Sequence, residues 1–187
     1  MPSARNAAAS LRLMAFDIDG VMTDGRLYYD ENGRELKAFH TLDGQGLRFL
    51  QEAGLAVAII TGRRSGAVAA RAADLGITHL FQGVADKRQC LSDLLATLRM
   101  TAEEAGYMGD DVVDLPVMRL CRFSAAPANA HSLVQNRAML VTAARGGEGA
   151  VREVCDFILA AQEKDASLLD RWLPEDRRGK DHAPGRV

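Results

Sequence analysis

Short apolar runs alternate with amphipathic stretches along most of the chain. The runs 11–16, 55–60 and 105–108 are apolar nearly throughout, which is typical of strands buried on both faces of a parallel sheet. Between them, leucine and other apolar residues recur at helical spacing, as in 42–53 and 87–98. The alternation predicts an α/β fold, with a Rossmann-like, mostly parallel sheet flanked by helices.

One stretch, 25–40, breaks this alternation and predicts a β-hairpin inserted after the first strand. Its signal is Asn32-Gly33 between two β-rich segments. A two-residue Asn-Gly loop would place Asp30 opposite Glu35, and these like charges repel. A type I turn with a bulge at Gly33 places Asp30 opposite Arg34 instead, and this is the register that we predict.

The hairpin carries large side chains that need a surface to pack on, because an isolated hairpin is marginally stable in water. These side chains are Tyr28, Tyr29 and Leu36. Two partners are open at this point: another subunit, or the body of the hairpin's own domain.

The 187 residues predict a single domain over 11–162, preceded by an N-terminal extension at 1–10 and followed by a flexible polar tail at 163–187. A hydrophobic content of 48% and a charged content of 26% are those of an ordinary globular protein. The net charge of −2 gives no reason to expect nucleic-acid binding. No apolar run approaches the length of a membrane span, so we expect no membrane partner.

The three cysteines, Cys90, Cys121 and Cys155, are scattered and odd in number, without the spacing of a metal site. We interpret them as buried free thiols in a reducing cytoplasm.

Residues whose side chains could act in catalysis or ligand binding follow four of the predicted strands, at the point where each strand ends. Because the carboxyl ends of parallel strands meet at one edge of a sheet, we expect these residues to lie together. In chain order they are Asp17 and Asp19, then Thr61, Gly62 and Arg63, then Lys87, and last Asp110, Asp111 and Asp114.

This set suits transfer of a phosphoryl group, which needs a nucleophile, charge neutralisation and fixed geometry. Asp17 is the predicted nucleophile, forming an aspartyl phosphate, and Asp19 is the predicted acid and base. Thr61 and Lys87 would bind phosphate oxygens. The predicted Mg²⁺ ligands are Asp17, Asp19 and Asp110, since hard oxygen donors suit that ion. Behind them, Asp114 would orient Lys87, with Asp111 beside it.

Each motif alone has an ordinary structural explanation. Thr61-Gly62 on its own is a strand-to-helix turn, Lys87 a surface lysine, and Gly109-Asp110-Asp111 a turn followed by a helix cap. Their order and shared position at successive strand ends favour one site over separate coincidences.

These motifs resemble those of the haloacid dehalogenase superfamily of phosphatases. The resemblance covers about 11–162, and the small hairpin is similar to that of the small-capped (C0) branch acting on sugar-acid phosphates. It implies a Mg²⁺-dependent phosphatase that forms a homotetramer, in which hairpins pack together and neighbouring subunits help to close each site. The matching motifs are Asp17-Ile-Asp19-Gly20, Thr61, Lys87, Gly109-Asp110-Asp111-x-x-Asp114 and Gly146-Gly-Glu-Gly149.

The resemblance also implies which residues contact the substrate. They are Asp19, His40, Thr41, Leu42, Asp43, Gly44, Arg48, Gly62, Arg63, Arg71 and Lys87. Arg48, Arg63 and Arg71 are the candidates for the carboxylate of a sugar acid. The family pattern has an arginine just before Asp43-Gly44, where this chain has leucine.

The leading hypothesis is therefore hydrolysis of the phosphate ester of an eight-carbon sugar acid. The alternative enzyme acts on a nine-carbon sugar-acid phosphate. A signalling receiver domain also gathers Asp, Thr and Lys around Mg²⁺, but an acid and base at Asp19 would shorten the life of a signalling phosphate. A scaffold without activity would leave the joint presence of these residue types unexplained.

Overall fold

The computed structural model describes residues 3–164 of the chain, which form an α/β domain with helices on both faces of one sheet. Its strands are β1 Leu13–Phe16, β2 Tyr28–Tyr29, β3 Glu35–Leu36, β4 Ala56–Thr61, β5 His79–Gln82, β6 Ala105–Met108, β7 Phe123–Ala126 and β8 Leu140–Val141. Its helices are α1 Ala4–Ala9, α2 Thr41–Glu52, α3 Gly66–Asp74, α4 Lys87–Leu98, α5 Leu115–Met118, α6 Ser132–Gln135 and α7 Ala150–Ala161. Two short 3₁₀ turns span Ala102–Glu104 and Val112–Asp114.

The six-stranded sheet has the order β5-β4-β1-β6-β7-β8, and all of its strand pairs are parallel. Strand β1 lies in the middle, with Phe16 opposite both Ile59 and Met108. The chain therefore leaves β1 at the centre of the carboxyl edge, where open α/β sheets place ligands. The predicted fold class is confirmed.

The apolar run of β1 is explained by a core on each face of the sheet. Met14 and Phe16 face the layer that contains α2 and α7, whereas Leu13 and Ala15 face the layer that contains α4. All four side chains are fully buried. A strand with both faces covered has no solvent-facing position, so its sequence does not alternate.

The hairpin has the predicted register. The Asp30 amide donates to the Arg34 carbonyl and the Gly33 amide donates to the Asp30 carbonyl, both at 3.0 Å. Gly33 has a φ of +73°, the left-handed conformation that a bulge at this position needs. Tyr29 pairs with Glu35, so Asp30 stands opposite Arg34.

The large side chains of the hairpin are only partly covered within the described residues. Tyr28, Tyr29 and Leu36 are 41%, 56% and 53% exposed. The domain therefore leaves about half of each side chain open, and a contact with another subunit stays a prediction.

The first ten residues contain a helix that the sequence pattern did not indicate. Ser3 caps α1 by accepting a hydrogen bond from the Asn6 amide at 3.2 Å. Ala7 and Ala8 are completely buried, and α1 packs against α7. The predicted flexible tail lies, beyond Lys164, outside the described residues.

No helix in 3–164 combines the length and the apolar character needed to cross a bilayer. The three cysteines are free thiols, but only Cys155 is buried as predicted, whereas Cys90 and Cys121 are partly exposed.

The loop after β8 packs tightly on the loop after β1. A Cβ atom added at Gly146 would lie 1.8 Å from the Gly20 carbonyl oxygen. The Gly147 amide donates to the Val21 carbonyl at 3.0 Å. Only glycine fits these positions, so residues from the last quarter of the domain fix the loop that follows the first strand.

Candidate active site

The centre of the carboxyl edge holds one buried lysine between two carboxylates. The Nζ atom of Lys87 lies 2.6 Å from Asp17 Oδ2 and 2.7 Å from Asp114 Oδ1. Lys87 is the first residue of α4, and Asp86 caps this helix by accepting from the Gln89 amide at 2.9 Å. Burial would lower the pKa of Lys87, but the two carboxylates outweigh it and raise that pKa. Lys87 is therefore a fixed positive charge.

A third carboxylate, that of Asp110, lies close to these two. One oxygen from each of Asp17, Asp110 and Asp114 lies within 4.8 Å of the others. Burial, and then the neighbouring carboxylates, raise the pKa of Asp17 to about 6 and that of Asp110 to about 7. A Cβ atom added at Gly20 would lie 2.0 Å from Asp110 Oδ2, so glycine leaves the space that Asp110 occupies.

These carboxylates fit a divalent cation. They are hard oxygen donors close enough together to bind one ion. Burial, followed by the neighbouring carboxylates, disfavours the charged forms of Asp17 and Asp110, and a bound cation would favour them. Lys87 forms ion pairs with Asp17 and Asp114, whereas Asp110 forms no salt bridge within residues 3–164. A cation would supply the positive charge at Asp110.

Asp114 is completely buried and accepts hydrogen bonds from several neighbours. Its Oδ2 atom accepts from the amides of Asp110 and Asp111 at 3.2 and 3.3 Å. Its Oδ1 atom accepts from the Tyr107 hydroxyl at 3.2 Å as well as from Lys87. Asp114 thus fixes both the Lys87 ammonium group and the turn that carries Asp110 and Asp111.

A cavity of about 400 Å³ opens above the cluster. Thr61 lies at the end of β4 and is 2% exposed, and the chain continues through Gly62 and Arg63 along the cavity wall. Val84 and Ala85, which precede α4, also line the cavity, and the Val84 amide donates to the Thr61 carbonyl at 3.1 Å. Every predicted catalytic residue lines this cavity, as do Gly62, Arg63, Asp110 and Asp111.

The Asp19 carboxylate is in contact with the hairpin and is not one of the three grouped carboxylates. Lys37 contacts Asp19 Oδ1, and the Nε atom of Arg63 lies 3.8 Å from Asp19 Oδ2. The three grouped carboxylates are thus those of Asp17, Asp110 and Asp114. The ligand set Asp17, Asp19 and Asp110 stays a prediction.

Lys37 and Glu35 are residues of this site that the sequence interpretation missed. They share one face of the hairpin strand because they are two residues apart, while Leu36 points to the other face. This alternation of polar and apolar positions was the only sequence feature that could have pointed to Glu35 and Lys37. It indicates that one face of the hairpin is built for polar contacts.

The rest of the predicted substrate contacts lies elsewhere in the chain. Thr41, Gly44, Arg48 and Arg71 line a second pocket of about 200 Å³, between the start of α2 and α3. Asp43 is buried and accepts from the Arg152 amide at 2.8 Å. Within one chain, none of the four residues of this second pocket lines the larger cavity. His40 precedes α2, and Leu42 is 54% exposed.

Three buried polar atoms near this second pocket have no hydrogen-bond partner among the described residues. They are His40 Nδ1, Asp43 Oδ2 and Arg71 Nε. Arg71 also lies over the Phe39 ring, with its guanidinium carbon 6.0 Å from the ring centroid. Buried polar atoms without a partner are rare in proteins, so this cluster is suited to a further polar group.

No protein-family model matches the chain, but individual relatives do. The chain is 52% identical over 157 residues to the 3-deoxy-D-manno-octulosonate 8-phosphate phosphatase KdsC of Yersinia pestis, an alignment that covers 84% of each protein. The chain belongs to the KdsC phosphatase family.

Solved structures agree with membership of the KdsC family. The enzyme of Moraxella catarrhalis, solved with a magnesium ion, a phosphate ion and a KDO molecule, is 38% identical and superposes with a TM-score of 0.88 over 90% of this chain and 97% of that one. A putative hydrolase of the HAD superfamily, subfamily III A, from Legionella pneumophila is 41% identical, with a TM-score of 0.87 over 91% and 93%. The predicted superfamily, the haloacid dehalogenase superfamily, is confirmed.

Proposed function

We propose that the chain hydrolyses 3-deoxy-D-manno-octulosonate 8-phosphate (Kdo 8-phosphate) to Kdo and inorganic phosphate, a step of lipopolysaccharide biosynthesis. The observation that carries the proposal is the contact of Asp17 with Lys87, with Asp110 and Thr61 in the same cavity, in a chain that is about half identical to enzymes of that name. Three free thiols support a cytoplasmic location.

The reaction proceeds in two steps on this chain's own residues. In the first, an Asp17 oxygen attacks phosphorus, the bond from phosphorus to the sugar oxygen breaks, and Asp19 donates a proton to that oxygen. In the second, Asp19 takes a proton from water, the water oxygen attacks phosphorus, and the bond to Asp17 breaks. Lys87 and Thr61 hold the phosphate oxygens throughout.

Mg²⁺ is the cofactor of this proposal. Asp17 and Asp110 would hold it, with Asp19 as the third predicted ligand and Asp111 and Asp114 behind them. When bound, the ion supplies positive charge against the phosphate and the carboxylates. The Moraxella relative, whose structure contains magnesium, supports this choice.

The direct test is phosphate release from purified protein. Kdo 8-phosphate and a nine-carbon sugar-acid 9-phosphate are compared, each with Mg²⁺ and with EDTA. We expect turnover of Kdo 8-phosphate that depends on Mg²⁺, and a much lower kcat/KM for the nine-carbon ester. A preference for the nine-carbon ester would mean that this ester, and not Kdo 8-phosphate, is the substrate. Phosphate release from neither ester would overturn the proposed function.

Two variants test the assigned roles. Asp17→Asn removes the nucleophile and is expected to lower kcat by on the order of 10³-fold or more, with the fold unchanged by circular dichroism. Arg63→Ala is expected mainly to raise KM if the guanidinium group holds the sugar-acid carboxylate. Wild-type turnover by Asp17→Asn would contradict the nucleophile assignment.

We also propose that each site of a homotetramer draws on two subunits. The exposed Tyr28, Tyr29 and Leu36 give the hairpin an apolar outer face suited to a subunit contact. The second pocket, with Arg48 and Arg71 beside the unpartnered polar atoms, is chemically suited to the sugar end of the substrate. A neighbouring chain would bring this pocket to the cavity.

Mixed subunits test this arrangement. Asp17→Asn and Arg71→Ala are each expected to lose activity at low substrate, whereas co-expression of both would restore up to about one quarter of the sites. The matched control combines Asp17→Asn with Lys87→Met, two changes to the same cavity, which should restore nothing. Absence of recovery with Arg71→Ala would overturn the two-subunit site.

A further inference from the structure

The Lys37 side chain is buried in a hairpin whose other large side chains are exposed. Only 2% of its side chain reaches solvent. Its ammonium group contacts the Asp19 carboxylate and lies 3.3 Å from Glu35 Oε1. A buried lysine is costly to a fold unless it is paired, so these contacts explain how the hairpin retains it.

Arg63 completes the arrangement from the body of the domain. Its guanidinium group lies 3.0 Å from Glu35 Oε1 and 3.2 Å from the Tyr29 hydroxyl. Its Nε atom is also 3.8 Å from Asp19 Oδ2. Each Asp19 oxygen therefore faces one cation, and Glu35 holds both cations in place.

The two cations are not equivalent. The Arg63 side chain is 44% exposed, and its separation from Asp19 is beyond hydrogen-bond distance. Lys37 is the buried partner and the one in hydrogen-bond contact. Among the residues that the structure describes, no other side chain forms an ion pair with Asp19.

A carboxylate that transfers a proton must be held within hydrogen-bond reach of the reacting oxygen. Asp19 follows β1 in a loop, where its side chain has rotational freedom unless another group restrains it. We propose that Lys37 is a positioning residue that holds the Asp19 carboxyl group where, in its protonated form, it can give its proton to the leaving sugar oxygen. Lys37 itself gives up no proton, and the inference rests on the proposed phosphatase function.

If Lys37 positions Asp19, its loss should affect only reactions in which the leaving group needs a proton. Loss of its contact affects the step in which Asp19 protonates the leaving group, and an ester whose leaving group needs no proton is insensitive to it. A sugar alkoxide is a strong base that needs the proton, whereas p-nitrophenolate leaves without one. The parameter kcat/KM covers the reaction up to the departure of the leaving group, so it includes this step and excludes the later hydrolysis of the aspartyl phosphate.

The experiment measures kcat/KM for Kdo 8-phosphate and for p-nitrophenyl phosphate with the wild-type chain, Lys37→Met and Lys37→Arg. We expect Lys37→Met to lower the value for the sugar ester by on the order of 10²-fold and that for the aryl ester by less than about 10-fold. Lys37→Arg, which keeps a cation, should recover part of the loss. Arg34→Met, which removes an exposed hairpin cation paired with Asp30, should leave both values unchanged.

Equal losses on the two esters would overturn the inference, since they would mean that Lys37 supports the fold or the phosphate site. Unchanged activity of Lys37→Met would overturn it as well. If Lys37→Met does not fold, Glu35→Gln removes the group that holds both cations and must show the same unequal loss. A wild-type chain that hydrolyses neither ester would instead overturn the proposed function, so the two failures are distinguishable.

Discussion

Lys87 and Asp114 form an ion pair of 2.7 Å in which the carboxylate is completely buried and the lysine side chain is 8% exposed. Removal of one partner from such a pair leaves an uncompensated charge inside the protein. The pair therefore has a structural role in addition to its place in the cavity.

Lys87→Met is expected to lower the free energy of unfolding by about 3–5 kcal/mol and to abolish turnover. The double variant Lys87→Met/Asp114→Asn should regain part of the stability, because one of the two carboxylates that Lys87 pairs with is gone. It should regain none of the activity, because the proposed phosphate ligand is still missing. Urea unfolding measures both. Arg122→Met, which breaks the exposed pair with Glu103, is the control and should cost less than about 1 kcal/mol. Equal costs for Lys87→Met and Arg122→Met would contradict the prediction.

Gly20→Ala is expected to displace Asp110 and to raise the Mg²⁺ concentration needed for half-maximal activity by about 10-fold or more. The reason is the distance of 2.0 Å between the added Cβ atom and Asp110 Oδ2. Gly33→Ala is the matched control, because Gly33 also has a positive φ but has nothing within 4 Å of the added atom. Both variants bear the backbone strain of about 1–2 kcal/mol, so only the clash distinguishes them. An unchanged Mg²⁺ requirement in Gly20→Ala would show that Asp110 tolerates displacement.

Removal of Mg²⁺ with EDTA is expected to lower the melting temperature. Three carboxylates with oxygens within 4.8 Å repel one another in the absence of the ion. Mg²⁺ at 100 times its Kd should add about 2.7 kcal/mol to the free energy of unfolding, which is a shift of about 5–10 °C for a domain of this size. Differential scanning calorimetry measures it. Asp110→Asn should remove most of the shift, and an undiminished shift would place the ion elsewhere.

The Arg12–Glu104 pair predicts a pH dependence of stability. The two side chains lie 2.7 Å apart at the beginnings of the neighbouring strands β1 and β6. The Arg12 guanidinium group, followed by hydrogen bonds from Thr101, lowers the pKa of Glu104 from 4.5 to about 2. The carboxylate form is therefore favoured in the folded chain, and this stabilisation is present above pH 4.5 and is lost as the pH falls toward 2.

The measurement compares melting temperatures of the wild-type chain and Glu104→Gln. The difference should be largest near pH 7 and should shrink as the pH falls below 4.5. High salt should also reduce it, since the pair lies at the surface. Glu31→Gln, on the exposed turn of the hairpin, is the control. A difference that grows toward acid would contradict the sign of the shift.

Much of the fold follows from local rules that the sequence displays. The apolar runs predicted the strands because central parallel strands have no solvent face. The hairpin register followed from the repulsion between Asp30 and Glu35 and from the turn chemistry of Gly33. The strand-end rule predicted the cavity that contains Asp17, Thr61, Lys87 and Asp110.

The remaining features depend on contacts that no local rule contains. Lys37 resembles a surface lysine in the sequence, and only the tertiary fold brings it to Asp19. Helix α1 buries alanines and carries no large apolar residue, so its sequence shows no helical pattern of the usual kind. The sequence also could not show that Arg48 and Arg71 lie in a separate pocket, because that depends on how α2 and α3 pack.

The contact of Gly146 and Gly147 with the loop after β1 has a consequence for synthesis of the protein. The proposed nucleophile, Asp17, precedes the segment that holds its loop by about 130 residues. A growing chain on the ribosome thus carries Asp17 before Gly146 and Gly147 can hold the loop that follows it. We therefore expect a fragment that ends before β8 to lack activity even though it contains Asp17, Thr61, Lys87 and Asp110.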